Sequence, residues 1–368
     1  MDIMNFRVLF RYELKKIFSQ KAYWLALIVM MLMLAANDIT PVFLGTYRQR
    51  KEREQALSGT VIDDEILARI DIAEDKHEFG PIYDFLKYAT GRTEPAGLTA
   101  DDLYRIRREN NGHLMDEGLA TEEEKSYWEF QDAANTAPFV YKYDGAYEAF
   151  FEVVYFMCFM VLILCGIGLS GIFADERIRG TDQIIFGTRL GRKQLFFVKL
   201  LAGMICGFVS AFFFVAEEAA LLPFLYGTDG WDAMLQIHIP QCMMNITMGR
   251  AVLYMAVLVL IIGVFLGIIT MFFSQLTMNH TASMALMILV LFASMFNPVG
   301  NSRILKMLFD MMPGAFVGSW LFETYTTVNL FGVRMNIMQY TPVFWLLTSM
   351  LLIAAAAVLY RKYEVNAG

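Results

Sequence analysis

Between Ala251 and Phe273 the chain runs for 23 residues without one charged side chain. In lipid, every backbone N–H and C=O must find its partner inside the protein, which a helix achieves by itself. Roughly 20 such residues cross a hydrocarbon layer of about 30 Å. Five other runs share this character, giving six expected spans near 22–44, 149–173, 195–226, 251–273, 281–297 and 342–360. Composition agrees, since 57% of the 368 residues are hydrophobic, only 18% are charged, and mean hydropathy is +0.45, the balance of a membrane protein. The first run is the least clean, because AYWLALIVMMLMLAA is followed by Asn37, Asp38 and Pro41. Its long charged lead and the lack of a small-residue cleavage pattern favour a retained span over a signal peptide.

Lys and Arg in short flanks mark the cytoplasmic side of a span. They collect in the leader (Arg7, Arg11, Lys15, Lys16, Lys21), in the segment after the second run (Arg177, Arg179, Arg189, Arg192, Lys193, Lys199) and in the tail (Arg361, Lys362). Both termini are therefore expected in the cytoplasm, as six spans require. The loop YGTDGWDAMLQIHIPQCMMNIT has neither Lys nor Arg before Arg250 and belongs outside. So does the long polar insert, residues 45–147, in which 22 Asp and Glu face 13 Lys and Arg, so that its net −9 exceeds the −7 of the whole chain. Its helix formers predict a small helical domain, with Thr99 and Thr121 as N-caps and Glu124 completing a capping box. Such a surface attracts cationic ligands, or serves only solubility. The four cysteines and the histidines His77, His113, His238 and His280 are scattered, with no HExxH or comparable spacing, and predict neither a disulfide framework nor a metal site.

In the leader, Phe6, Leu9, Phe10, Leu14, Ile17 and Phe18 recur at helical steps, with Arg7, Arg11, Lys15 and Lys16 opposite. That pattern suits an amphipathic helix in the membrane interface, and equally a plain cytosolic extension of the first span. The segment DERIRGTDQIIFGTRLGRKQLFFVKL, 175–200, cannot lie in hydrocarbon, where each charge would cost several kcal/mol. It is either a basic loop that fixes topology or a short helix that docks an apolar face into a partner. It is not a phosphate-binding loop of its own. GTRLGRKQ, at 187–194, has one residue too few between its glycines, Arg before Lys, and Gln where a hydroxyl is needed.

ERIRGT at 176–181 followed by IIFGTRLGRKQLFFVK at 184–199 resembles the first cytoplasmic loop of ABC-2-type transporter permeases. RYELKKIF at 11–18 resembles that family's interfacial elbow helix, and RKYEV at 361–365 its cytoplasmic end. The resemblance implies an all-α membrane protein with six transmembrane helices, a leader helix over 1–21, span 1 over 22–44, the extracytoplasmic helical insert, and spans 2 to 6 within 148–362, followed by a short tail over 363–368. It further implies a coupling helix at 175–194, with Glu176, Arg177, Gly180, Thr181, Ile184, Ile185, Arg189, Gly191, Arg192 and Lys199 as the residues that transmit ATPase closure. ATP and Mg would be bound by a separate ABC ATP-binding subunit, not by this chain. The other implied partners are a second permease, identical or homologous, and membrane lipid, with no nucleic acid. The place implied is a bacterial plasma membrane.

Glu217 and Glu218 fall inside the third run, and intramembrane acids are functional candidates by default. They suit contact with a cationic substrate, pairing with a base on another span, or escape to the outer interface. An EExxxR protease motif is ruled out, because Leu222 stands where Arg is required. Residues 300–322 suit either a re-entrant pair at the outer mouth or an amphipathic loop. Gly203 with Gly207, and Gly263 with Gly267, permit close helix contact at a dimer seam. The sequence thus points to a permease subunit of an ABC exporter for a hydrophobic or amphipathic substrate, an antimicrobial peptide being one such. The alternative is a signalling or mechanical subunit that moves its outer domain without passing substrate. No constellation of acid, base or metal ligands suggests an enzyme.

Overall fold

The computed structural model describes residues 3–92, 96–118, 120–178, 180, 193–295, 302–312, 318–330 and 332–362. Helix α1 (Ile3–Phe18) ends at a break over Ser19 and Gln20, where Phe18, Tyr23 and Trp24 pack their rings into a corner and the indole of Trp24 donates to the Phe18 carbonyl at 2.7 Å. Helix α2 (Lys21–Phe43) follows and carries Asn37, Asp38 and Pro41 within it, so the polar residues that blurred the end of the first run do not stop the helix. The insert contains α3 (Thr46–Leu57), α4 (Asp64–Ile72), α5 (Gly80–Thr90), α6 (Ala100–Glu117) and α7 (Glu122–Asp132). Helices α8 (Gly145–Leu169), α9 (Ala174–Ile178), α10 (Lys193–Tyr226), α11 (Leu235–His238), α12 (Met248–Thr277), α13 (His280–Met295), α14 (Arg303–Asp310) and α15 (Ile337–Lys362) complete the helical part.

Among the described residues five helices are long and apolar enough to cross a membrane, namely α2, α8, α10, α12 and α15. The run expected at 281–297 appears as α13, only 16 residues in its described part. Its continuation at 296–301 lies outside the described residues. The chain is an all-α membrane protein, to which one short hairpin is added: strands β1 (Thr327–Leu330) and β2 (Val333–Asn336) pair antiparallel just before α15, with Thr327 opposite Asn336 and Leu330 opposite Val333. The short alternation of TVNL and VRMN around Gly332 escaped a reading tuned to long apolar runs.

Helices α8, α10 and α12 form the centre of the bundle, α2 lies against α8 and α10, and α15 against α12. The periphery is apolar and uncovered, as lipid contact requires: Leu25, Ile28 and Leu32 on α2 and Leu346, Leu347 and Leu351 on α15 are exposed. The two glycine pairs are not at a free surface. A Cβ on Gly207 would stand 1.9 Å from the carbonyl oxygen of Gly263, and one on Gly267 would stand 2.5 Å from that of Gly203. The four glycines therefore form the contact between α10 and α12 within one chain, which corrects the assignment to a dimer seam. The motif permits backbone approach but does not say which helix approaches.

The insert has its own core, with Ile66, Ile70, Ile82, Phe85, Leu103, Tyr104 and Phe139 packed together. Thr99 caps α6, and the Thr121–Glu124 capping box forms at α7. The domain is nevertheless bolted to two other loops. Ile237 of α11 belongs to its core. The buried guanidinium of Arg107 holds Asp132 at 2.9 and 3.1 Å and donates to the carbonyls of Pro240 and Cys242 at 2.8 and 3.0 Å. The Trp128 indole donates to the Tyr325 carbonyl at 2.6 Å. Glu124 serves twice: one oxygen closes its capping box, while the other accepts from the Thr327 amide at 2.6 Å and from Arg303 at 2.7 Å.

Gly207→Ala is expected to lower the unfolding temperature of the detergent-solubilised protein by several degrees, because backbone must yield on both sides of the seam. Gly112→Ala, on α6 with open space around the added carbon, is expected to leave it unchanged or raise it, Ala being favoured over Gly in a helix by about 0.5–1 kcal/mol.

Candidate functional site

Where α8 ends, the chain turns through Ser170–Phe173 before α9 begins. The turn's orphaned carbonyls have unusual partners. Ile172 O accepts from Lys199 Nζ at 3.2 Å and from Lys16 Nζ at 3.3 Å, and Ser170 O accepts from Ser274 Oγ on α12 at 2.8 Å. Ser170 Oγ lies 3.2 Å from His280 Nδ1 at the start of α13. Lys199 is the centre of the cluster. Its ammonium has no solvent exposure, sits 3.1 and 3.2 Å from the two oxygens of Glu13 on α1, and 2.5 Å from Glu176 on α9. Lys16 approaches Glu176 at 3.6 Å. Phe173 lies under the Lys199 ammonium and packs edge-on to Tyr360 of α15.

The arrangement is neutral, two ammoniums against two carboxylates, and every arm of Lys199 is occupied. That is the condition under which a buried charge is tolerated. Burial lowers the Lys16 ammonium from its ordinary value, and Lys199 adds to that, against the opposing pull of Glu176, Glu13 and Asp175. Five elements, α1, α9, α10, α12 and α13, thus meet at one turn.

The residues marked in the sequence fall as follows. Glu176 and Arg177 lie in α9, Gly180 follows with a left-handed backbone (φ 62°), and Lys199 lies within α10 rather than at the close of a loop. Glu176 and Lys199, separated by 23 positions in the chain, are in contact. Thr181, Ile184, Ile185, Arg189, Gly191 and Arg192 lie outside the described residues. Residues missed in the sequence are Glu13, Ser170, Ser274 and His280. Glu13 carried a faint signal, as an acid inside a basic helix three positions before Lys16.

The third-span acids lie toward the other end of α10. Glu218 is fully buried and Glu217 partly so. Among the described residues neither is ion-paired, and burial denies Glu218 an escape to the interface. Asp38 of α2, 2% exposed, faces Glu218. Tyr226 donates its hydroxyl to the Asp38 carbonyl at 2.9 Å, and Tyr143 donates to the Tyr226 carbonyl at 2.9 Å.

Closer to the insert lies a second ionic group. Arg50 of α3 holds Glu54 at 2.6 Å and Glu148 of α8 at 2.8 Å. His238 of α11 holds Asp144 at 3.0 Å, with Glu148 at 3.9 Å. Arg50, Glu54, Glu148 and His238 border a cavity of about 430 Å³ that His77, Glu78, Asp84 and Tyr88 also line. Burial alone would lower the His238 pKa, but Asp144, with Glu148 and Glu54 behind it, outweighs that and raises it to about 9.

A bundle of apolar helices with a polar domain over one end defines a multi-pass membrane protein. Residues 84–360 match the profile of the ABC-2 family transporter proteins, so the chain belongs to that family, whose members are membrane permease subunits of ABC transporters. No curated protein and no solved structure matches the chain.

Lys199→Met removes the buried cation that Glu13 and Glu176 share, leaving Lys16 at 3.6 Å from Glu176 as a partial substitute, and is expected to cost about 3 kcal/mol of stability, the low end of the range for breaking a buried pair. The triple variant with Glu13→Gln and Glu176→Gln should recover much of it; chemical denaturation in detergent checks both. His238 makes a separate expectation. Its pKa is raised from 6.5 to about 9, so its contribution is complete below the unfolded value and is lost as pH rises through the folded one. Thermal unfolding should show stability falling over that window, and His238→Gln should flatten this part of the profile.

Proposed function

We propose that this chain is the membrane half of an ATP-driven exporter whose ATP and Mg are bound by a separate ABC ATP-binding subunit. Residues 175–194 form the coupling helix that the subunit grips on the cytoplasmic side of a bacterial plasma membrane, where both termini also lie. One observation carries this reading: Lys199 joins Glu176, at the start of the coupling segment, to Glu13 of the leader and to the base of α10. A push on the segment therefore reaches the leader and the third span through a single ammonium. Glu176 anchors the start of the segment to Lys199 of α10, and Arg177, Gly180, Thr181, Ile184, Ile185, Arg189, Gly191 and Arg192 are its contact surface. A second permease, identical or homologous, completes the pathway. The substrate is hydrophobic or amphipathic and bears positive charge, an antimicrobial peptide fitting that description, with Glu217 and Glu218 lining its route and the acidic insert drawing it in.

A second reading has a specific observation in its favour. Arg107, Trp128 and Glu124 fix the insert to the loops that follow α10 and α14, so the insert is placed to move with the spans. A mechanical subunit would use that linkage and pass no substrate.

Pull-down of the wild-type chain from its native cell in mild detergent is expected to bring down an ATPase subunit. The Glu176→Ala/Arg192→Ala variant should lose most of that binding or of the substrate-stimulated hydrolysis, and Glu13→Gln should reduce stimulation while keeping the partner. Absence of an ATPase from the wild-type pull-down overturns the reading. If Trp128→Ala abolishes the output of an intact complex that never accumulates transported substrate, the mechanical reading replaces the exporter.

A further inference from the structure

The site between α2 and α10 holds more than two lining glutamates. Asp38 and Glu218, with exposures of 2% and 0%, are side-chain neighbours across the two helices. Among the described residues neither oxygen of Glu218 has a hydrogen-bond donor, and Oδ2 of Asp38 has none. Oδ1 of Asp38 receives the side-chain amide of Asn37, at 3.3 Å. Among the described residues the groups around them offer no compensation. Glu217 on α10 and Glu152 on α8 carry the same sign. The hydroxyl of Tyr226 is spent on the Asp38 carbonyl. Arg50, the cation that reaches toward Glu152, is held by Glu54 and Glu148.

Two ionised carboxylates in contact, buried and without a donor, are doubly unfavourable: each loses its hydration and each repels the other. One proton removes both penalties, since a carboxylic acid donates to a neighbouring carboxylate in a short, strong hydrogen bond. An ammonium does the same with three donors and leaves the net charge of the pair as the proton left it.

We propose that Asp38 and Glu218 form a cation-binding site within the membrane that holds one shared proton at rest and exchanges it for the ammonium of an amphipathic substrate. In the exchange the O–H bond of the acid breaks, the proton leaves to water, and the ammonium takes its place between two carboxylates. The shared proton rests on the geometry alone. The exchange rests on the transport reading above.

Infrared spectroscopy of the full chain in lipid nanodiscs tests both parts without any ATPase. At neutral pH the wild type is expected to show a carboxylic-acid C=O band that moves in heavy water. The band should be shifted in Asp38→Asn and in Glu218→Gln, and lost in the double variant, while the exposed control Glu52→Gln leaves it unchanged. Identical carboxylic-acid regions in wild type and double variant would overturn the shared proton. Dodecylammonium is expected to remove the band from the wild type and release one proton per chain, and dodecanol to do neither. A band that persists under saturating dodecylammonium overturns the exchange. Failure of the coupling reading would instead appear in the ATPase pull-down, with these spectra unaffected.

Discussion

A lysine with no access to water organises the end of the molecule where α1, α9 and the helices α8, α10 and α12 converge. Lys199 is stable there only because Glu13, Glu176 and the Ile172 carbonyl surround it. Dehydration strengthens each of these contacts and makes the loss of any one expensive. The geometry of the turn after α8, the tilt of α1 and the start of α10 are therefore fixed jointly. An apolar residue of similar size would pack as well but would not link three separate segments by direction and distance.

The opposite end uses different physics. There the insert is held by many contacts, neutral and charged, spread over Arg107, Trp128 and Glu124. Asp144 and Glu148, which flank the start of α8, reach His238 and Arg50, tying the insert to the second span. Between the two ends the spans contribute mostly apolar packing, interrupted by the Tyr23–Ser210 hydrogen bond at 2.8 Å and by the acids Asp38, Glu217 and Glu218.

How much of this was legible follows from what each signal depends on. Long apolar runs depend only on local composition, and α2, α8, α10, α12 and α15 lie where those runs are. Helix caps are equally local, and Thr99 and Thr121 act as their spacing implied. Contacts between distant segments leave no periodic trace. Glu124 looked like a capping residue and is also a docking hub; the four glycines looked like a surface for another chain and pack within this one. Lys199 was marked, but Glu13 was hidden in a helix read for its basic face, and Asp38 looked like the ragged end of a span rather than the partner of Glu218. The hairpin at 327–336 was missed because four-residue strands carry too little alternation to stand out.

The glycine seam has a mechanical consequence. Where backbone meets backbone there are no side chains to slide or change rotamer, so α10 and α12 have little freedom to shear against each other. Lys199 and Glu218 stand on the same helix, 19 residues or about 28 Å apart at 1.5 Å per residue. The pair of helices is thus a stiff lever with the ionic joint at one end and the buried acids at the other. A tilt imposed at the joint would therefore be carried along the pair to its far end, where Glu218 faces Asp38 on the separate helix α2.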